Sequence, residues 1–260
     1  MTTSEENIRI VNEVTKWNNG NPPDIVWANA GSAKPGLFLD TSIETFKQQM
    51  DINYFAAVYL AHAIFKIWLT GSSSSSNESS HSASSAPRHF VITSSVAAFV
   101  GLAGYSPYSP AKAALRNLHD SLRSELLLYN HANPGAGKHV PEVKIHTIFP
   151  GTILSPGLDT ENVTKHAVTK ELEKSDPQQT PAEVARVTIA ELEKGNQLIT
   201  TQRLGMIMKS AGLMVSVRDN WLVDTILGSL MPVIVPFVNM DLEGTVKKWA
   251  RDHGRPQHQI

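Results

Sequence analysis

Apolar residues at Ile8, Val11, Val14 and Trp17 recur every three to four positions, which predicts one face of a helix, and the polar, proline-containing residues 18–23 end it. Asp24-Ile25-Val26-Trp27-Ala28-Asn29 is a short, nearly continuous apolar run closed by Ala30-Gly31, the pattern of a strand buried on both faces. Helical periodicity returns over residues 42–69, with Ile52, Phe55, Val58 or Tyr59, and Ala63 on successive turns. Residues 89–94 and 143–149 read as two further buried strands, the second stopped by Pro150-Gly151. Between them, residues 111–129 place Leu115, Leu118, Leu122 and Leu126 on one side of a helix. Thr180, Pro181 and Glu183 form a capping pattern that opens another helix, Gly195 closes it, and residues 198–200 read as a last short strand. Strands alternating with helices at this spacing predict βαβ units and a doubly wound parallel sheet, an α/β fold.

Two stretches depart from that alternation. Residues 71–86 hold ten serines in sixteen positions without apolar periodicity and read as a disordered surface insertion. Residues 204–217 are mostly apolar around Lys209, and residues 221–238 are an apolar stretch containing Asp224, Pro232 and Pro236. As a helix the second stretch would be roughly 27 Å long, close to the thickness of a bilayer core. Its prolines and aspartate favour a re-entrant or interfacial segment over a plain span, with Lys247, Lys248 and Arg251 at the headgroups; a buried helix pair or a dimer contact is the alternative. The organisation expected is a Rossmann-like α/β domain over 1–200 and an apolar membrane-associated segment over 201–260.

Composition narrows the chemistry. The 23 Lys and Arg against 24 Asp and Glu leave a formal charge of −1, so there is no general basic field for nucleic acid. With no cysteine, thiolate catalysis, disulfides and cysteine-ligated metals are excluded, and the ten histidines show no metal-ligand spacing. His89 and His146 read as sheet residues. Residues 1–7 are polar and acidic, without the apolar segment of a signal peptide.

The stretch richest in chemistry is Ser94-Ser95 followed by Tyr108-Ser109-Pro110-Ala111-Lys112. A tyrosine and a lysine four apart at a helix start share a face, so the ammonium can favour the phenolate and bring the phenol closer to proton exchange with a carbonyl oxygen. A serine hydroxyl at the end of the preceding strand can bond the same oxygen. Tyr105 is the rival tyrosine but has no lysine four residues on, and no Gly-x-Ser-x-Gly elbow supports a hydrolase. Carbonyl reduction or alcohol oxidation is the chemistry these groups suit.

With Asn29-Ala30-Gly31 after a strand, Asn53 in the next helix, Ser95 thirteen residues before Tyr108, Lys112 four after it and Pro150-Gly151 ending a further strand, residues 3–200 resemble the short-chain dehydrogenase/reductase family. The resemblance implies a Rossmann-like fold in which Asn53, Ser95, Tyr108 and Lys112 form a catalytic tetrad. Tyr108 would be the proton donor, Ser95 its positioning partner, Lys112 the activator and a ribose contact, and Asn53 the holder of a relay water. Asn29, Ala30, Gly31, Tyr108, Lys112, Pro150, Gly151 and Ile153 would border the cofactor. The residues Ser94 to Tyr108, the run from Phe149 to Gly157 and the apolar tail are similar to the branch that reduces a long-chain amino ketone with NADPH at the cytosolic face of the endoplasmic reticulum membrane. Other lipid or steroid ketone reductases, and a cofactor-free remnant that binds lipid or a partner, are the alternatives. The partners implied are a long-chain keto-lipid substrate, a membrane surface and, potentially, a second copy in a homo-oligomer; nucleic acid is not among them.

The family's opening strand, its Thr-Gly-x-x-x-Gly-x-Gly turn, the helix after it and two more strands have no counterpart here. The fold expected therefore lacks the first βαβαβ portion, and with it the cofactor's pyrophosphate cradle and the residue that distinguishes NADP from NAD. Gly135-Ala136-Gly137-Lys138 lacks the spacing of a phosphate loop and reads as a turn.

Overall fold

A computed structural model describes residues 2–70, 86–131, 141–213, 216–254 and 256. The serine-rich stretch and the Gly135–138 turn lie outside the described residues, apart from Ala86. Four parallel strands, β1 (Ile25–Ala28), β2 (Arg88–Thr93), β3 (Val143–Phe149) and β6 (Leu198–Thr200), form the sheet in the order β1-β2-β3-β6. Val26 pairs with Phe90, Phe90 with Ile145 and Thr147 with Leu198, so alternate residues of all four strands share a face.

One face carries α1 (Ser4–Trp17), α3 (Ala56–Thr70) and α4 (Ser109–Asn130). Val11, Ile64, Trp68 and Leu115 pack there against Phe90, Ile92 and Ile145. The opposite face is covered by α7 (Pro181–Glu193), whose Leu192 meets Val91, Ile148 and Ile199. The expected Thr180 capping box starts α7, with Glu183 reaching back to the Thr180 backbone.

The strand predicted as buried on both faces, β1, is instead the outer strand of the described sheet. Ile25 and Trp27 are 64% and 39% exposed, because only Val26 and Ala28 face the helices. An apolar run reports strand propensity but not what stands beside the strand.

Between β1 and α3, α2 (Ile43–Met50) continues through a π-helical turn over Asp51–Phe55. Beyond β3, β4 (Thr152–Ile153) pairs in parallel with β5 (Gln178–Gln179), with α5 (Pro156–Thr164) and α6 (Ala167–Leu172) between them. This small layer was not anticipated from the sequence.

The tail forms α8 (Arg203–Gly212) and α9 (Trp221–His253). α9 is one helix running through Pro232 and Pro236. The two rings are four residues apart and so lie along the same side, where both missing N–H donors fall, and the helix is not broken at two opposed points. Lys209, the lone charge of the apolar stretch, is buried and joins the tail to the sheet. Its Nζ lies 3.5 Å from Asp224 and 3.8 Å from Asp219 and donates to the Leu198 carbonyl, while Asp219 accepts the backbone N–H groups of Gln197 and Leu198. The outward side of α9 is apolar, with Trp221, Val233 and Phe237 among its exposed residues.

Candidate active site

The carboxyl ends of β1, β2 and β3 open into one cleft of about 1250 Å³, the usual ligand position in an open parallel sheet. It is lined by Asn29 and Gly31 after β1, Ser94 and Ser95 after β2, Pro150, Gly151 and Ile153 after and within the β3–β4 turn, and Tyr108 and Lys112 at the start of α4. Ala30 is exposed and does not line it.

Asn53 is set by the π-helical turn, where the extra residue per turn redirects the side chains. The Asn53 amide is buried and spans helix and loop: its Oδ1 accepts the Ser32 N–H at 3.2 Å, and its Nδ2 donates to the Ser32 and Gln49 carbonyls at 2.9 and 3.0 Å. Gly31 is required by that arrangement. A β-carbon there would stand 2.8 Å from Asn53 Oδ1 and 3.2 Å from Lys112 Nζ.

Ser94 and Ser95 have separate tasks, as the spacing to Tyr108 implies. Ser94 is buried and donates to the Lys112 carbonyl at 2.9 Å, tying α4 to β2. Ser95 caps the short 3₁₀ helix Val96–Ala98, its Oγ accepting the Ala97 N–H at 3.2 Å, and its hydroxyl lies against the Tyr108 phenol.

Lys112 Nζ sits 5.5 Å from the centre of the Tyr108 ring and donates to the Thr93 carbonyl at 3.1 Å. Burial pulls the Lys112 amine down to about 8. The expected lowering of the phenol is not found: burial pushes Tyr108 up to about 12, with the Glu161 carboxylate adding to the rise and the Ser95 hydroxyl opposing it. At neutral pH the pair is therefore a protonated phenol beside a cation, an arrangement suited to donating a proton.

Sequence reasoning missed the groups around this pair. Thr93 Oγ1 donates to Asn29 Oδ1 at 2.7 Å and accepts from Trp27 Nε1 at 2.8 Å, locking the β1 turn to β2. Tyr105 donates to Glu161 at 2.5 Å, and Lys165 bridges Glu161 at 2.7 Å and Glu173 at 2.5 Å; all four line the cleft. Burial, then the Glu161 hydrogen bond, drives the Tyr105 phenol far up, so it stays neutral. Burial opposes the Lys165 charge, but its two carboxylates hold its pKa above the ordinary lysine value. The Glu161 to Lys165 spacing of four was the one readable signal; Glu173 joins only through the fold.

The sequence profile described as short chain dehydrogenase matches residues 1–166. The chain belongs to the short-chain dehydrogenase family. Within that family it is 42% identical to a 3-ketodihydrosphingosine reductase of Aspergillus fumigatus, across 100% of this chain and 70% of that protein. It is 40% identical to the protein of that name in Neurospora crassa, across 95% of this chain and 64% of the relative. The Yarrowia lipolytica protein of the same name is 32% identical, with 96% and 60% covered, so the chain spans about two thirds of these relatives' lengths. Among solved short-chain dehydrogenase folds, one from Burkholderia cenocepacia in complex with NADP superimposes with a TM-score of 0.58 at 17% identity, over 87% of this chain and 77% of that one. A 3-oxoacyl-[acyl-carrier protein] reductase from Brucella melitensis in complex with NAD gives 0.57 at 19%, over 77% and 73%. These likenesses establish the Rossmann-like fold.

The cleft's geometry suits one end of a nicotinamide dinucleotide. The bare Cα of Gly31 lets Asn53 Oδ1 and Lys112 Nζ come close to the loop, and the buried Lys112 amine, anchored on the Thr93 carbonyl, offers a donor to a ribose in the cleft that Asn29, Pro150 and Gly151 also line. That end fits. No glycine-rich turn joins a strand to a helix N-terminus among the described residues, so the pyrophosphate end has no such cradle there.

Proposed function

We propose that this chain carries a ketone reductase site that converts the 3-keto group of a long-chain 2-amino ketone, the 3-ketodihydrosphingosine for which its fungal relatives are named, to the alcohol with NADPH. One observation carries the reading: Ser95, Tyr108 and Lys112 meet in a cleft that Leu204 and Met208 of α8 and Val238 and Leu242 of α9 also line. NADPH, when bound, supplies the hydride; Asn29, Gly31, Lys112, Pro150, Gly151 and Ile153 are the residues that would hold its nicotinamide and ribose.

The chain's own part is proton delivery. With its pKa near 12, Tyr108 keeps its proton at neutral pH and gives it to the ketone oxygen as charge develops there. Ser95 donates its O–H to the same oxygen and fixes its position. Lys112, a cation below about pH 8, stabilises the phenolate left behind. Asn53 holds the turn at Ser32 and thereby the loop at Gly31.

The substrate's long chain explains the tail. Each buried methylene is worth about 0.8 kcal/mol, so such a ketone resides in lipid, and an enzyme with an apolar helix on its surface meets it there. The membrane we infer is that of the endoplasmic reticulum, with the cleft on the cytosolic side; the reductase-like body is residues 1–200 and the membrane-associated segment residues 201–260.

A second reading, lipid binding without turnover, is favoured by the lack of a glycine-rich phosphate turn among the described residues. Titrating the chain with NADPH and following nicotinamide fluorescence separates the two, when combined with mass detection of the amino alcohol formed from the ketone. Saturable binding with alcohol formation supports the reductase; retention of the ketone without NADPH binding supports the second reading.

A further inference from the structure

At about 1250 Å³ the cleft exceeds the roughly 300–1,000 Å³ of an ordinary small-ligand site, and its lining joins polar and apolar groups. Ser95, Tyr108 and Lys112 line it. So do Leu204 and Met208 of α8 and Val238 and Leu242 of α9, with Asp241 the charged residue beside them. Each of these pairs is spaced four residues apart, so each forms one row along the side of its helix.

On the strength of the ketone-reductase reading above, we propose that the saturated tail of the substrate runs from the Tyr108 end of the cleft along the Leu204–Met208 and Val238–Leu242 rows, so that the lipid-docking helix is also a wall of the substrate's path. Met208 suits such a wall, since an unbranched thioether adapts to a chain of varying position.

Two further observations support an alkyl chain as the occupant. The groove is a built feature, because Lys209, one residue from Met208, is held between Asp219 and Asp224 and bonded to β6, which fixes where α8 and α9 stand relative to the sheet. It is also continuous with the outward face of α9, where Val238 is 50% exposed and Ile234, one turn before it, is 40% exposed. A folded protein partner would cover that face but would not enter the cleft that the phenol lines.

The test uses the full chain in phosphatidylcholine vesicles and a series of long-chain 2-amino-3-ketones with a diazirine at a shallow, middle or terminal carbon. After irradiation, trypsin releases residues 204–209 as one peptide and 219–247 as another, and fragmentation places the label. The expected result is labelling within residues 204–209 and at 238–242, moving outward as the diazirine moves down the chain, and falling at least tenfold with excess unlabelled ketone or in Met208→Trp. Label confined to Val233 and Phe237, label not competed by the ketone, or adducts only between two copies of the chain would overturn the path. Labelling as expected with no alcohol formed on adding NADPH would uphold the path and reject the reductase reading. The wild-type labelling pattern decides the matter even if Met208→Trp does not fold.

Discussion

The Lys112 ammonium lies 5.5 Å from the centre of the Tyr108 ring and is anchored on the Thr93 carbonyl, so the cation of the proposed site is held by the end of β2 and not by a carboxylate. Its charge is costly where it sits and useful to the phenol beside it. Lys112→Met keeps the aliphatic stem and removes that charge. Stability at pH 7 is expected to be equal or higher, while ketone reduction falls by about 10²-fold or more, the scale of a lost proton-transfer partner. In the folded chain Lys112 loses its proton near pH 8, whereas an unfolded lysine keeps it to about 10.5. Between those values the unfolded chain binds more protons, so this group's contribution to stability rises with pH. Urea titrations across pH 7–10 check this: the rise is expected to be smaller in the variant.

His119 makes the same demand at lower pH. It is fully buried, its Nδ1 lies 3.0 Å from Thr147 Oγ1, and burial, then the neighbouring His146 and Arg123, lower it to about 3. As pH falls below about 6.5 the unfolded chain takes up a proton that the folded chain refuses until about pH 3. Stability should therefore drop in acid by up to about 1.4 kcal/mol per pH unit from this residue. His119→Gln is expected to make the acid limb of a melting-temperature profile shallower; an unchanged limb would place the acid sensitivity elsewhere.

Gly31→Ala tests the close approach of Asn53 and Lys112 to the loop after β1. The new methyl would stand 2.8 Å from Asn53 Oδ1, so the buried amide or the loop must shift, at roughly 1–3 kcal/mol. NADPH affinity should fall with it. Nicotinamide fluorescence titration of the variant measures this, and affinity equal to that of the wild type would show that the close approach is not used.

Lys165→Met leaves the partly buried Glu161 and Glu173 without the buried cation they share. The loss expected is about 3–5 kcal/mol, the usual cost of removing one partner of a buried pair. Lys165→Met combined with Glu161→Gln and Glu173→Gln should recover most of it. Chemical denaturation of both forms checks the comparison.

Much of the site was readable because its chemistry is local. Tyr108 and Lys112 share a helix face, and Ser95 follows a strand whose apolar pattern is plain. The Asn53 bonds were not readable, since they depend on a π-helical turn and on the Ser32 backbone of a distant loop. Glu173 reaches Lys165 only through the packing of α5 and α6, and the direction of the Tyr108 shift follows from burial, which a spacing rule does not contain. In the fold, the parallel sheet followed from strand and helix alternation. The exposure of Ile25 did not, because it is set by what lies next to the strand.

The most direct measurement is the rate at which the chain, in detergent with NADPH and a long-chain 2-amino-3-ketone, forms the amino alcohol, compared with Tyr108→Phe, which removes one oxygen and leaves the ring. The expected result is turnover by the wild type and a fall of about 10²–10⁴-fold in the variant, with binding of the ketone retained. Equal turnover by the two proteins would contradict the assignment of Tyr108 as proton donor.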